Sequence, residues 1–120
     1  MSTLARVDDE WHDEIPVARV QGEVDASNVK EMGDRLRSLL SNRSVAMIVD
    51  LSATTYLDSA GINLLFALAE EMRSRQQRLA LVVADPSPIR RMVALTGLDR
   101  AMAVHATLPD ALGGVRADPT

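Results

Sequence analysis

The stretch "VDLSATTYLDSAGINLLFALAEEM", Val49 to Met72, decides the fold. It runs from the end of an apolar, β-branched segment into a helical pattern, through the four residues Asp58-Ser59-Ala60-Gly61. The segment before it, "VAMIVDL" (45–51), is short and almost continuously apolar, as expected of a strand covered on both faces. After it, Gly61, Leu65, Leu68 and Met72 share one face at about 100° per residue, which predicts a helix from Ser59 to Arg75. A buried strand feeding a helix through a small polar turn is the repeating unit of a sheet with helices packed against it.

Working outward, "TLARVDD" (3–9) and "IPVARVQG" (15–22) flank the polar segment "DEWHDE", which predicts an antiparallel pair of strands. In "DASNVKEMGDRLRSLLSN" (25–42), Val29, Met32, Leu36, Leu39 and Leu40 recur at spacings of three and four, the mark of an amphipathic helix. "RLALVVAD" (78–85) reads as a second buried strand. The helix after it has clear ends: Ser87 can cap, Pro88 suits the first helical position, and Gly97 closes it. A short strand, "AMAVHA" (101–106), precedes a last helix from Pro109, with Thr107 and Asp110 at capping spacing. The expectation is one α/β domain with an open mixed β-sheet: an N-terminal antiparallel hairpin, then alternating strands and helices, with about four helices in all. The domain spans 5–113, with a lead at 1–4 and a disordered tail over 114–120.

Composition removes several functions. The 120 residues are 47% hydrophobic, enough for one core, and contain no cysteine, which leaves no disulfide framework or thiolate chemistry. Seventeen acidic residues against thirteen basic ones, net charge −4, are interspersed, and there are three aromatic side chains in all. Direct nucleic-acid binding is therefore not expected. Neither a signal peptide nor a run of membrane-spanning length is present, so a cytoplasmic protein without membrane insertion is expected. Two histidines far apart make no metal cluster, and no cofactor fingerprint or phosphate-binding Gly-rich loop occurs.

Functional residues of open α/β sheets gather beyond the carboxyl ends of parallel strands, and Ser59 lies in such a loop. Three readings of it compete. Asp58 or Ser59 can cap the following helix, with Gly61 allowing close packing. Alternatively, "LDSAG" compares with the Gly-x-Ser-x-Gly elbow of a small serine hydrolase, but Leu57 stands where the first glycine belongs, and His105 lies inside a strand. Asp50 as an aspartyl phosphoacceptor lacks the late-strand lysine of receiver domains, since Lys30 is the one lysine. No catalytic residue is assigned, and an enzyme is not expected. In the third reading another protein phosphorylates the Ser59 hydroxyl.

Three segments in order carry a resemblance. "VQGEVDASNV" (20–29), "VDLSATTYLDSAGINLL" (49–65) and "PSPIRRMVALTGLDRAMAVHATLPDAL" (86–112) resemble the motifs of the STAS domain, the family of sulphate-transporter cytosolic domains and anti-sigma factor antagonists. Ile62 replaces the commoner leucine after Gly61, and the first strand is acidic at its end. The length and the Asp58-Ser59 pair resemble the anti-sigma factor antagonist branch.

That resemblance implies a partner-switching regulator of transcription in a stress response. Unphosphorylated, it binds an anti-sigma factor that is also a serine kinase, and so frees a sigma factor. The kinase, which binds the ATP, phosphorylates Ser59 and ends the interaction, and a serine phosphatase restores it. Asp25 and Asp58 help present the serine, although each is also placed to cap a helix. Ile62, Asn63 and Phe66 lie on the Ser59 side of the helix, where they either dock the partner or complete the edge of the core. The alternative function is a constitutive STAS scaffold subunit of a stress-signalling assembly or a lipid-transport complex.

Overall fold

The computed structural model describes residues 5–117. Strands β1 (Arg6–His12) and β2 (Ile15–Val24) form the hairpin, and the turn between them places Asp13 at φ 60°. Aspartate is one of the few side chains that tolerates this left-handed conformation, which suits a tight hairpin turn. β2 then runs parallel to β3 (Ala46–Asp50), pairing Val17 with Ile48 and Arg19 with Asp50. At Gly22, φ 91°, the register shifts, and the end of β2 pairs with a short strand β4 (Thr54–Leu57). β5 (Arg78–Val82) lies parallel to β3, and β6 (Ala103–His105) parallel to β5. The sheet has six strands in the order β1-β2-β3-β5-β6, with β4 on β2.

Among the described residues five helices cover it: α1 (Val29–Ser38), α2 (Ser59–Ser74), α3 (Pro88–Thr96), α4 (Leu98–Ala101) and α5 (Leu108–Ala117). The period of two along β3 explains how a continuously apolar strand serves two layers. Met47 and Val49 join one core with Leu36, Leu65, Leu68, Met72 and Val93 from α1, α2 and α3. Ala46 and Ile48 point the other way, into a smaller core with Ala111, Leu112 and Val115 of α5. α3 carries the ends read from its sequence. Ser87 accepts a hydrogen bond from the Arg90 amide at 3.0 Å, Pro88 opens the first turn, and Gly97 closes it at φ 82°.

Several boundaries differ from the sequence expectation, each for a local reason. Asp25–Asn28 forms a turn before α1 rather than its first turn. The Asn28 side chain accepts from the Asp25 amide and donates to the Glu23 carbonyl, fixing a non-helical entry. β4 is an unanticipated strand, because four residues with Thr54 and Leu57 inward and Thr55 and Tyr56 exposed leave too short an alternation to read. α4, a single turn, is an addition to the four helices expected. The last helix does not stop at Gly113. It continues to Ala117, because Val115, 5% exposed, extends the buried stripe of Ala111 and Leu112. A Cβ on Gly114 would meet the His105 ring at 2.9 Å, so this glycine serves packing rather than helix termination. Residues 118–120 of the expected tail and the lead at 1–4 lie outside the described residues.

Candidate functional site

β4 delivers the chain to α2 through Asp58, whose extended backbone marks the helix N-cap. Its carboxylate does the capping: Oδ1 accepts from the amides of Ala60, at 2.9 Å, and Gly61, at 3.1 Å. Of the two capping candidates it is therefore Asp58 that caps, and Ser59 occupies the first helical position. The Ser59 side chain is exposed, and it makes no hydrogen bond with any described residue. An unengaged hydroxyl on a rigid helix start is accessible to a reagent and needs no structural change to reach one.

The turn before α1 lies against this helix start. Asp58 Oδ2 accepts from the Ala26 amide at 3.3 Å, and the Asp58 amide donates to the Val24 carbonyl at 3.2 Å, so the two loops are tied together. The Asp25 carboxylate folds onto its own turn, accepting from the Ser27 hydroxyl at 2.5 Å and the Ser27 amide at 2.9 Å. The Ser27 hydroxyl and then the Ser27 amide hold the Asp25 carboxyl below the usual carboxylate range, with the Asn28 amide adding to them against a small desolvation penalty. Asp25 thus stays ionised in its turn and does not cap α1. The N-cap position of α1 belongs to Asn28.

Gly61 makes the close approach of these elements possible. A Cβ there would collide with the Leu57 side chain and come within 3.1 Å of Val24 Cγ1. The glycine lets α2 start close against Val24 of β2 and Leu57 of β4, with Asp58 bonded to the Ala26 amide.

The three apolar or amide candidates of α2 separate. Asn63 is exposed one turn beyond Ser59 and shares its face. Ile62 is 5% exposed and belongs to the main core, so its side chain completes the packing rather than presenting a docking surface. Phe66 is half-buried against that core and lies about 10 Å along the helix axis from Ser59. Two further exposed apolar side chains are Tyr56, on β4 two residues before Asp58, and Leu95 on α3, a helix that packs against β4. Neither was singled out from sequence, because an isolated exposed apolar residue has no periodic signature.

Elsewhere, Asp50 is buried at the end of β3. It accepts from the amide and hydroxyl of Ser52 and from Arg19 Nε at 3.4 Å, the bonding of a residue that shapes a strand-end turn. The His105 ring lies against Gly114 and makes no hydrogen bond to Ser59. Among the described residues, no helix is long and apolar enough to cross a membrane.

An exposed serine at the N1 position of a helix, tied to an acidic turn on a mixed six-stranded sheet, defines a class: the chain belongs to the STAS domain family, which it matches over residues 6–111, on its anti-sigma factor antagonist branch. Among relatives, it is 33% identical to the anti-sigma-F factor antagonist RsfB of Mycobacterium tuberculosis over 105 residues, 88% of this chain and 84% of that one. The crystal structure of an anti-sigma factor antagonist from Mycobacterium paratuberculosis superposes with a TM-score of 0.83 at 31% identity, covering 93% of this chain and 94% of that one. The Bacillus cell fate determinant SpoIIAA in its phosphorylated form shares the fold, with a TM-score of 0.63 at 23% identity over 92% of this chain and all of the other.

Proposed function

We propose that this protein is a phosphorylation-controlled anti-sigma factor antagonist whose switch is Ser59. In its unphosphorylated form it binds an anti-sigma factor that is also a serine kinase, so that a sigma factor is released; phosphorylation of Ser59 ends the binding, and a serine phosphatase resets it. The work is done in the cytoplasm, where sigma factors act. The observation that carries the reading is the state of the Ser59 hydroxyl: exposed, unengaged, and next in the chain to the Asp58 cap that also ties the Ala26 turn to this helix start. Similarity to RsfB supports the assignment of partner class.

The geometry suits release by electrostatics. A phosphoserine adds roughly 1.5 to 2 negative charges. The amides that would ordinarily neutralise an anion at this helix start, those of Ala60 and Gly61, already serve the Asp58 carboxylate. The phosphate is left to project into solvent next to existing carboxylates, where a partner surface fitted to a neutral hydroxyl meets a hydrated dianion. Asp25, Asp58 and Asn63 frame the hydroxyl on the partner-facing side, with Phe66 further along α2. Ile62 contributes by fixing the helix from beneath.

The test is direct. Purified protein is incubated with a candidate anti-sigma kinase and ATP, and the phosphate is located by peptide mass spectrometry. Stoichiometric phosphate on Ser59, with loss of the complex, supports the switch. A stable complex with no phosphate on Ser59 across all candidate kinases would replace it with the constitutive scaffold.

A further inference from the structure

The sheet is unevenly finished at its β6 edge. β5 begins at Arg78, but β6 pairs only with Ala80, Leu81 and Val82, and α4 ends at Ala101 just before it. On the β6 side of Arg78 and Leu79 there is accordingly no strand among the described residues, while α2 continues on one side of the sheet and α5 on the other. The layers face each other across a groove of about 530 Å³. It lies at the opposite end of α2 from Ser59: Arg73, on its wall, is about 21 Å along the helix axis. Its near end, however, is Phe66, about 10 Å along the helix axis from Ser59, so the groove excludes the Ser59 hydroxyl itself but shares Phe66 with the proposed partner-facing side.

Its chemistry is two-sided. Phe66 and Ala69 of α2, Leu79 of β5, Met102 and Val115 supply apolar surface. Arg73, Arg100 and His105 stand around it, and the Arg78 guanidinium crosses it to donate to the Val115 carbonyl at 2.8 Å. Glu70 is the one acidic side chain of the lining, and it pairs with Arg73. Arg100 is exposed and has no ion-pair partner among the described residues. A chain of net charge −4, with seventeen acidic residues to thirteen basic, therefore places three arginines against one acid in this concavity. Like-signed charge on low-dielectric walls concentrates counter-ions in the concavity.

We propose that this groove binds a small organic anion: an apolar body of roughly eight carbons lying against Phe66, Leu79 and Met102, with a carboxylate or phosphate-monoester head held by Arg100, Arg73 and His105. The volume falls within the range of about 300 to 1,000 Å³ typical of small-molecule sites. An added peptide strand fits less well, because the unpaired edge of β5 spans only Arg78 and Leu79. Gly114 has a part in the site. The absence of a Cβ there lets the His105 ring pack on the α5 backbone and stay at the groove wall.

The test uses the full chain, isotopically labelled and titrated by amide-resolved NMR with octanoate and octyl phosphate, with 1-octanol and inorganic phosphate as controls. At least one of the two amphipathic anions should give saturable, one-to-one shifts centred on Phe66, Leu79, Met102 and His105. The neutral alcohol and the bare phosphate should bind about ten-fold more weakly or worse, since each supplies one half of the recognition. Arg100→Glu, at an exposed position, should weaken the anion about ten-fold or more with an unchanged melting curve. Ala69→Trp, which fills the groove, should abolish binding. Absence of saturable shifts from both anions, equal binding of octanol, or full affinity in both variants overturns the proposal. So does uptake of an acidic peptide at the groove with no response to either anion, which would make it a protein-docking edge instead.

Discussion

Asp58 and Ala26 are joined across two loops: the carboxylate that caps α2 also accepts the Ala26 amide at 3.3 Å. One side chain thereby fixes the start of the Ser59 helix and the acidic turn beside it. Asp58→Ala removes three acceptor contacts and leaves the Ala60 and Gly61 amides without their cap. The expected loss is about 1–2 kcal/mol of unfolding free energy, measured by urea denaturation. Ser59→Ala, at a side chain with no intramolecular hydrogen bond, should change stability by less than about 0.5 kcal/mol. Equal losses in the two variants would mean that the cap is shared.

Gly61→Ala tests the close approach of α2 to the strands beneath it. Helix propensity alone favours alanine by about 1 kcal/mol. The new methyl group, however, runs into the side chain of Leu57, which is 2% exposed, and crowds Val24 at 3.1 Å. Overpacking of about 1–3 kcal/mol outweighs the propensity gain. A lowered melting temperature is expected, and a raised one would show that the helix start can lift off the sheet.

Much of this arrangement is legible in the sequence because the signals are local. Ser87, Pro88 and Gly97 mark the ends of α3 by chemistry that acts over three or four residues, and the unbroken apolar run in "AMIVD" marks a strand with two buried faces. What escapes the sequence depends on partners distant in the chain. That Asp58 caps while Ser59 stays free is settled by the backbone angles at the turn, and the Ala26 contact spans 32 positions. Ile62 sits at a helix azimuth compatible with either a docking face or the core edge, and only the packing of α2 on β4 and α1 decides for the core. The length of α5 depends on Val115 packing into a core built from β2, β3 and β5, and Gly114 is small because the His105 ring of another element lies against it.

The two helices of the Ser59 layer are also clasped at their far side. Arg37 of α1 and Glu71 of α2 form a bidentate pair, at 2.9 and 2.8 Å, and the Arg37 guanidinium lowers the Glu71 carboxyl while Glu71 raises Arg37. With the folded Glu71 below its unfolded value of about 4.3, the stabilisation is fully present above that pH and is lost as pH falls through the lowered folded value. The raised Arg37 acts only far into the alkaline range and leaves this acid window alone. Both side chains are 40% or more exposed, so solvent screening limits the pair to about 0.5 kcal/mol. Glu71→Gln should cost that amount at pH 7 and progressively less as pH falls through the lowered Glu71 value, as read from urea midpoints. A difference that persists at the acidic end would assign the loss to packing instead of charge.

The switch makes the sharpest forecast, because Ser59 adds little to the fold and everything to the proposed release. Ser59→Ala keeps a small neutral surface above the Asp58 cap, so it should bind the kinase-type anti-sigma factor with the affinity of the wild type and stay bound when ATP is supplied. In a cell it should act as a permanently active antagonist. Ser59→Asp sets one charge where phosphate sets nearly two, with fewer acceptor oxygens, and its carboxylate projects from a helix start whose Ala60 and Gly61 amides Asp58 already occupies. It should therefore weaken binding in the same direction as phosphorylation but by less, with phosphoprotein weaker than wild type by about ten-fold or more, or roughly 1.4 kcal/mol. Calorimetric titration of the four forms against one anti-sigma factor orders them as alanine variant equal to wild type, then aspartate variant, then phosphoprotein. Four equal affinities would sink the phosphoswitch, and a Ser59→Ala variant that fails to bind while keeping its melting temperature would make the hydroxyl a contact rather than a switch.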